Sequence, residues 1–518
     1  MQHPIRKKRS LSLLATSALA LCLALPGCKV GPDYHKPNDP LPIGWKQQLG
    51  DSKPAAEHKQ EPTLDKQALA QLQWWKKFND PVLDGLIEKG LQQNLDLQIA
   101  KARIQEARAA LRSAKSDLLP SVDAMASGMR EGNQIAFGKT SFPKPFNIFQ
   151  TGFDASWELD LFGKSRRAIE SAFALFGAEH AYNDEVRVST LAEIARTYMD
   201  IRRYQAQVAI AQQSVKAQEE TLKIQKDLYA AGSIPETGVI PAQARLMQQQ
   251  FQVLYYQNLL TTSEYAMDLL LAEQPGTAHG LVAEVKPIPV ADKNIVLAAP
   301  AEVIANRPDV REAERKFASS VAEIGVAKAQ LFPNISISGF FGFLSTTTDK
   351  LVSAPNKSWN VGGNLLWPVF NYGHVVTGIE TAKAQKNEAL ATYKKSVIAA
   401  LVDVESTLSA YTKQEASREY MDGIVKQDAH AADIAQAKYK DGVTSMAEPL
   451  EAQQTLYSAQ SQLADATANS AQDFIAVYKS LGGGWQEPPK EPAKPQESTQ
   501  KQEKQPETLK TPAPAPKK

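Results

Sequence analysis

Very few residues of this 518-residue chain have the types and spacings that catalysis or metal binding requires. Its seven histidines are scattered, with no His-Glu-x-x-His or comparable metal-ligand spacing. Neither a Walker-type phosphate loop nor a Gly-x-Ser-x-Gly nucleophile turn occurs. We therefore predict no catalytic residue, no metal site and no cofactor, so any energy that the protein uses must come from a partner.

The one side chain for which the sequence predicts a specific chemical modification is the thiol of Cys28. A basic start (residues 6–9) and an apolar stretch (residues 11–25) precede Leu25-Pro26-Gly27-Cys28, which resembles a bacterial lipobox. In such a motif the cysteine sulfur takes a diacylglycerol, so we predict a signal peptide at 1–27 and a palmitate-bearing lipoprotein anchor at Cys28. Because Lys29 replaces the aspartate of the inner-membrane retention signal, the outer membrane is favoured. The alternative is an ordinary cleaved signal followed by a coincidental cysteine.

The composition excludes several kinds of site and partner. The net charge of +1 leaves no basic excess to neutralise phosphates, so we predict no nucleic-acid partner. Cys22 and Cys28 are the only cysteines, and an acylated Cys28 would leave the mature chain without a thiol. After the signal, no apolar run is long enough for a helical membrane span, so any crossing of a bilayer must use β-strands.

The chain is internally duplicated. Residues around Gly232 recur around Gly442 with a constant offset of 210. Farther upstream the offset is 213, as in Leu118-Leu119-Pro120 and Leu331-Phe332-Pro333. A shared pattern that slips by three residues predicts two copies of one structural unit that differ in the length of one loop.

Four short segments alternate between apolar and polar residues with the period of a β-strand. In the clearest one, Asp154, Glu158 and Asp160 alternate with apolar residues, and we expect them to face the lumen of a barrel and favour cations. A half-buried hairpin of a soluble protein would show the same alternation. The predicted strands, of a length suited to a tilted membrane crossing, lie at about 121–131, 150–161, 334–344 and 358–369.

Four strands are too few to close a pore, since small outer-membrane barrels use about eight. Open edges in lipid would leave unpaired backbone groups at a cost of several kcal/mol each. The strands must therefore pair with those of other subunits, and three copies would supply twelve strands.

Two helical patterns, at 163–230 and 373–440, are too long for an ordinary globular core, at roughly 100 Å each as α-helix. Each is followed by a short turn and a return helix, so the long coiled-coil pairs cover 163–272 and 373–481. At the second turn, Ser445 and Glu448 have the spacing of a capping box, which predicts the start of the return helix.

These elements predict a mainly α fold with long antiparallel helices and four strands that complete a transmembrane β-barrel with other subunits. The predicted divisions are a signal peptide (1–27), an N-terminal anchor and equatorial segment (28–78), a first repeat (79–273), an equatorial linker (274–300), a second repeat (301–486) and a disordered tail (487–518).

Several motifs together resemble the TolC-like outer-membrane efflux family, in particular its lipoprotein branch of OprM- and NodT-type channels. Besides the lipobox and the duplication, they are Gly31-Pro32-Asp33-Tyr34, Trp74-Trp75, Asp80-Pro81, Asn306-Arg307-Pro308-Asp309-Val310 and Leu481-Gly482-Gly483-Gly484-Trp485. The resemblance implies a homotrimer in the outer membrane of a Gram-negative bacterium. In it, three chains with four strands each form a 12-stranded β-barrel on a long α-helical barrel that extends into the periplasm. It also implies a passive exit duct for small molecules or drugs, supplied by a proton-driven inner-membrane RND transporter through a periplasmic adaptor (membrane fusion protein).

The same resemblance suggests working residues. The lipoprotein branch places an acidic residue of the periplasmic gate about two turns inside the second return helix, where this chain has Glu451; Gln454 stands where relatives often have arginine. Three symmetry-related carboxylates there would make closure sensitive to pH and salt. The alternative is a solvated helix residue. The adaptor-docking tips are predicted at Gly232, Ser233, Gly442 and Ser445, which otherwise form plain turns.

Three other functions are compatible with parts of the sequence. A periplasmic adaptor lipoprotein also combines a lipid anchor with helical hairpins, although the alternating strands and the duplication argue against it. An exit duct for type I protein secretion would share the channel architecture. A periplasmic lipoprotein enzyme is disfavoured by the absence of catalytic motifs.

Overall fold

A computed structural model of the chain describes residues 29–37, 42–46, 73–132, 136–137, 140–141, 145–292, 295 and 299–483. The predicted signal peptide, the lipid attachment at Cys28 and the tail at 487–518 lie outside these residues. The described part is mostly helical and contains a four-stranded antiparallel sheet, as predicted.

The first half consists of α1 (Pro81–Gln93), α2 (Leu95–Ser116), β1 (Ser121–Glu131), the two-residue strands β2 (Ala136–Phe137) and β3 (Thr140–Ser141), β4 (Phe146–Leu159), α3 (Lys164–Ala230) and α4 (Glu236–Leu270). A linker contains the short helix α5 (Thr277–Val282). The second half consists of α6 (Pro300–Asn306), α7 (Pro308–Ala329), β5 (Asn334–Ser345), β6 (Lys357–Leu366), α8 (His374–Lys440) and α9 (Ala447–Ser480). Single 3-10 turns occur at Trp74–Phe78 and Ala354–Asn356.

Apart from the short pieces inside the two strand-to-strand connections, the two halves contain the same elements in the same order. Helices α2 and α7 each have 22 residues, and α3 and α8 each have 67. The connection between β1 and β4 covers 132–145, whereas that between β5 and β6 covers 346–356 and is three residues shorter. This difference accounts for the change of offset from 213 to 210, so the predicted duplication with one altered loop is confirmed.

The four long strands lie in the order β1-β4-β5-β6, and all neighbours are antiparallel. Strand β4 starts four residues earlier than predicted and ends two residues earlier, at Leu159. Strand β6 ends at Leu366, three residues before the predicted end. Strands β1 and β6 form the two edges of this sheet.

The sheet has one apolar and one polar face, because directly opposite residues of neighbouring strands project to the same side. The apolar face carries Ala124, Phe153, Phe341 and Trp359 in one row across the strands, and the last three side chains are more than half exposed. The adjacent row on the polar face is Asp123, Asp154, Phe340 and Asn360. The alternation predicted from the sequence is therefore present in the folded sheet.

The helices pack side by side below the sheet. Helix α3 contacts α2, α4, α7 and α9, and α8 contacts α7 and α9. The main hydrophobic core lies about halfway along α3, where Leu191 to Met199 meet Met267 of α4, Leu408 of α8 and Phe474 of α9. Trp74 and Trp75 complete this core, which explains the Trp-Trp motif. None of the described helices is both long and apolar enough to cross a membrane.

Arg307 connects three helices of the second half. Its Nε and Nη2 donate to the two carboxylate oxygens of Asp309 at the start of α7, at 3.0 and 2.8 Å. Its Nη1 donates to Asp403 of α8 at 3.0 Å and to the carbonyl oxygen of Ser480 in the last turn of α9. Gly482, at φ +70°, packs against this arginine. Two of the sequence motifs, around Arg307 and Gly482, therefore form one structural junction.

Candidate channel wall, gate and docking tips

The two helical hairpins end in matching turns. Gly232 and Gly442 both have φ +70°, a left-handed conformation that only glycine adopts without strain. The N–H of Ser233 donates to the carbonyl oxygen of Leu228 at 2.9 Å, and the N–H of Gly232 to that of Tyr229 at 2.9 Å. These two bonds form a Schellman motif, and the turn at Gly442 repeats it.

The predicted tip residues are exposed, but the capping box is wrong. Gly232, Ser233, Gly442 and Ser445 all lie at the surface of the turns. Helix α9 begins at Ala447, and its N-cap residue Met446 makes no side-chain capping bond. The carboxylate of Glu448 instead accepts from the hydroxyl of Thr444 and pairs with Lys438 at 3.4 Å. Both tips therefore present small residues on tight turns.

The predicted gate residues lie on one exposed face of α9. Glu451 and Gln454 are three residues apart, so their side chains share a face of the helix, and both are exposed. Because α9 begins at Ala447, Glu451 lies just over one turn inside the helix rather than two. Its counterpart in α4 is Pro241, so the carboxylate occurs in the second half alone.

Two of the three acidic residues predicted to face a lumen lie on the polar face of the sheet. Asp154 is opposite Asp123 of β1, and Glu158 pairs with Lys164 at 3.1 Å. The position predicted for Asp160 is wrong, because β4 ends before it. Its carboxylate caps α3 instead, accepting from the backbone N–H groups of Ser165 and Arg166, each at 3.1 Å. A helix N-terminus favours negative charge, which explains an aspartate at this position.

The segment that follows Cys28 is fixed where the sheet meets the helices. The backbone N–H of Val30 donates to the carbonyl oxygen of Phe162, between β4 and α3, at 3.3 Å. The side chain of Arg167, which is 1% exposed, donates its Nε–H to the carbonyl oxygen of Val30 at 2.9 Å. Sequence reasoning missed Arg167. Its counterpart in the second repeat is Thr377, so the arginine occurs in the first repeat alone, and this difference could have identified it.

A pair of carboxyl groups lies between α3 and α7. Burial, together with the neighbouring carboxylates of Glu312 and Asp309, raises the pKa of Glu185 to about 7, while Arg307 opposes this shift. A hydrogen bond with Glu312 contributes in the same direction. At neutral pH the carboxyl group of Glu185 is therefore partly protonated.

Nothing in the described part of the chain suggests chemistry. No group of three or more histidine, cysteine, aspartate or glutamate side chains in that part could hold a metal ion. The main features of the described residues are instead a two-faced sheet, long helical hairpins and exposed tips.

The sequence model described as "Outer membrane efflux protein" matches residues 86–273 and 299–483, one stretch in each repeat. The chain belongs to the outer membrane efflux protein family. The resemblance predicted from the motifs is thus confirmed, and the members of this family are channels rather than enzymes. This efflux protein is therefore an outer-membrane protein of the Gram-negative type.

Named relatives align with this chain over most of its length. Nodulation protein T of Rhizobium leguminosarum bv. trifolii is 29% identical over 463 residues, covering 89% of this chain and 96% of the relative. The solvent efflux pump outer membrane protein SrpC of Pseudomonas putida is 29% identical over 468 residues, covering 89% and 97%. The pyoverdine export outer membrane protein OpmQ of Pseudomonas putida is 30% identical over 437 residues, covering 82% and 91%.

Solved structures show the same architecture. The outer-membrane channel OprN is 33% identical with a TM-score of 0.77, covering 88% of this chain and 100% of that chain. The Campylobacter jejuni CmeC outer membrane channel, at 24% identity, shares the fold with a TM-score of 0.77, covering 88% and 95%.

The raised pKa of Glu185 predicts that this residue destabilises the protein at alkaline pH. Its ordinary pKa is 4.5 and its folded-state pKa is about 7, so the penalty is absent below 4.5, grows between these values and is complete above 7. Glu185→Gln should therefore stabilise the fold at pH 8 by about 1 kcal/mol, allowing for solvent screening of this partly exposed group, and should have little effect at pH 4.

Thermal unfolding followed by circular dichroism at both pH values measures this effect. Glu193→Gln, at an exposed position about two turns further along α3, is the matched control and should show no such pH dependence. An equal change in melting temperature at pH 4 and pH 8 would contradict the raised pKa of Glu185.

Proposed function

We propose that three copies of this chain form a passive outer-membrane exit duct for small molecules or drugs. The observation that carries the proposal is the isolated four-stranded sheet, which has an exposed apolar face, a polar face and two edge strands. An apolar face suits lipid and a polar face suits an aqueous lumen. Three such sheets joined edge to edge would give twelve strands, enough to close a barrel.

A tripartite pump explains how a passive channel could take part in energy-driven export. We propose that a periplasmic adaptor joins this channel to a proton-driven inner-membrane RND transporter, which selects the cargo and supplies the energy. The names of SrpC and OpmQ, a solvent efflux pump protein and a pyoverdine export protein, support a small-molecule cargo.

We also propose that Cys28 carries the lipid. The N–H of Val30 donates to the carbonyl oxygen of Phe162, so the described segment that follows Cys28 begins beside the end of β4. That end of the sheet would face the periplasmic leaflet, where acyl chains on a lipoprotein insert. The anchor would thus hold the chain at the membrane surface from which its strands cross.

Loss of the gene tests the efflux function. In cells that express the cognate adaptor and transporter, deletion should raise the accumulation of a fluorescent dye or drug severalfold, and the wild-type gene should restore it. Fluorescence of intact cells measures the effect. Unchanged accumulation would contradict small-molecule efflux, and retention of a normally secreted polypeptide would identify a protein-secretion duct.

The hairpin tips are the proposed adaptor-docking surface, because their small exposed residues would allow close approach of another helical hairpin. Replacing Ser233 and Ser445 together by Trp should abolish dye export by blocking this approach, whereas the double Ala variant should export normally. The trimer should assemble in both variants, since the changes lie outside the packed helices. Normal export by the Trp variant would remove the tips from the docking surface.

Glu451 is the proposed gate residue. Three copies of this exposed carboxylate around one axis would repel one another and bind cations or protons, so the entrance would respond to pH and salt. Glu451→Ala should therefore increase the single-channel conductance in planar bilayers and reduce its pH dependence. Ser458→Ala, at another exposed position of α9, should leave both properties unchanged. A Glu451→Ala channel with wild-type conductance would exclude the residue from the gate.

A further inference from the structure

Three basic side chains lie on one face of α2, at the end of the helix that leads into the sheet. Arg108, Arg112 and Lys115 are spaced by four and three residues, so they are neighbours on the helix surface, and all three are exposed. Residues 107–116 contain no acidic side chain, and none of the three cations forms an ion pair with another residue that the structure describes. We call these three side chains the basic face.

The duplication indicates that the basic face is on the outside of the proposed barrel. Its counterparts in α7, 213 residues later, include Val321 and Gly325, which are both buried. The segment that follows Cys28 covers Gly325, since a Cβ atom on Gly31 would lie 2.5 Å from the Cα atom of Gly325. A segment tethered by a lipid would approach a barrel from outside. The outer face of α7 is therefore covered, whereas the corresponding face of α2 is exposed and basic.

The basic face also lies next to the apolar part of the sheet. Strand β1 follows soon after Lys115, and its first apolar-face side chain, Val122, is 63% exposed. Leu119, between helix and strand, is 68% exposed. The indole N–H of Trp157 donates to the carbonyl oxygen of Leu118 at 2.9 Å, and indoles are enriched at lipid–water boundaries. Along the chain a basic surface is thus followed by an apolar one, as at the edge of a bilayer.

The chemistry of the basic face suits phosphate groups. Arginine presents a planar fork of N–H donors that matches two phosphate oxygens, and lysine acts as a point charge. The Cζ atom of Arg108 lies 5.7 Å from the ring centroid of Phe176 in α3, a cation–π contact that holds this side chain beside the helix. The three charges extend over about 10 Å of helix, which is comparable to the depth of a headgroup layer.

On the basis of the proposed barrel, we infer that the basic face binds the phosphate headgroups of anionic phospholipids in the periplasmic leaflet. Each cation near a membrane surface favours anionic lipid by about fivefold. The bound lipid occupies the place on α2 that the segment after Cys28 occupies on α7. The two repeats therefore contact the same leaflet by different means, a tethered segment on α7 and anionic headgroups on α2.

Lipid binding to the purified full-length protein tests this inference. In neutral detergent at low salt, the protein is titrated with phosphatidylglycerol and separately with phosphatidylcholine, each carrying pyrene on one acyl chain. Energy transfer from tryptophan to pyrene measures binding, because Trp157 lies beside the end of α2. The wild-type protein should prefer phosphatidylglycerol by more than about tenfold. Salt at about 0.5 M should remove most of this preference.

The combined variant Arg108→Gln, Arg112→Gln and Lys115→Gln should bind the two lipids nearly equally. Arg108→Lys with Arg112→Lys retains the positive charge and should retain most of the preference. All of these positions are exposed, so the fold should be unchanged, and circular dichroism checks this.

A matched control removes the same number of charges far from the sheet. Three exposed lysines lie on one face of α3 near the hairpin tip, and the control variant combines Lys216→Gln, Lys223→Gln and Lys226→Gln. It should prefer phosphatidylglycerol as strongly as the wild-type protein does.

Three results would overturn the inference. The first is equal binding of both lipids by the wild-type protein, and the second is a preference that survives in the combined Gln variant at positions 108, 112 and 115. The third is a changed ion selectivity of that variant in a bilayer of neutral lipid, because this would place the side chains in the lumen.

Light scattering and dye export separate this inference from the proposed function. A complex of three chains that exports dye but has no preference for anionic lipid contradicts the lipid site alone. A single-chain mass of the wild-type protein contradicts the proposed barrel and, with it, the position assigned to the basic face.

Discussion

Backbone hydrogen bonding at the sheet edges is the constraint on which the rest of this structure depends. Strands β1 and β6 each have one neighbour within the chain. In hydrocarbon, an unpaired peptide group costs several kcal/mol, and a whole edge of them cannot be tolerated. The apolar face built around Phe153, Phe341 and Trp359 is suited to hydrocarbon. The proposed trimer meets this constraint, because other copies of the chain would pair with both edges.

The pairing of β4 with β5, which joins the two halves of the chain, has features that the edge strands β1 and β6 lack. The ring of Phe340 lies against Gly152 and Gly342, whereas the corresponding position at the open edge is Ser127. The segment held by Arg167 likewise covers the junction of α3 and α7. These contacts stabilise the joint between the two halves.

Much of this fold could be predicted from the sequence because its periodicities are long and repeated. The alternation around Phe153 predicts a two-faced strand, and the pattern from Gly163 to Ala230 predicts a helix of unusual length. Strand ends were less predictable. Asp160 continues the alternation of β4 in the sequence. In the structure its carboxylate instead accepts hydrogen bonds from the backbone N–H groups at the N-terminus of α3. The predicted capping box is absent for a similar reason, because Glu448 accepts a hydrogen bond from Thr444 and forms an ion pair with Lys438. Local sequence patterns do not reveal such competition between neighbouring elements. The roles of Glu451 and of the tips depend on assembly, which a single chain does not determine.

Amide hydrogen exchange of the edge strands in the outer-membrane-extracted protein tests the central claim most directly. If other copies complete the sheet, the amides of β1 and β6 that point away from β4 and β5 will exchange as slowly as those of the two central strands. Fast exchange along β1 and β6, beside slow exchange in β4 and β5, would show open edges and contradict the account.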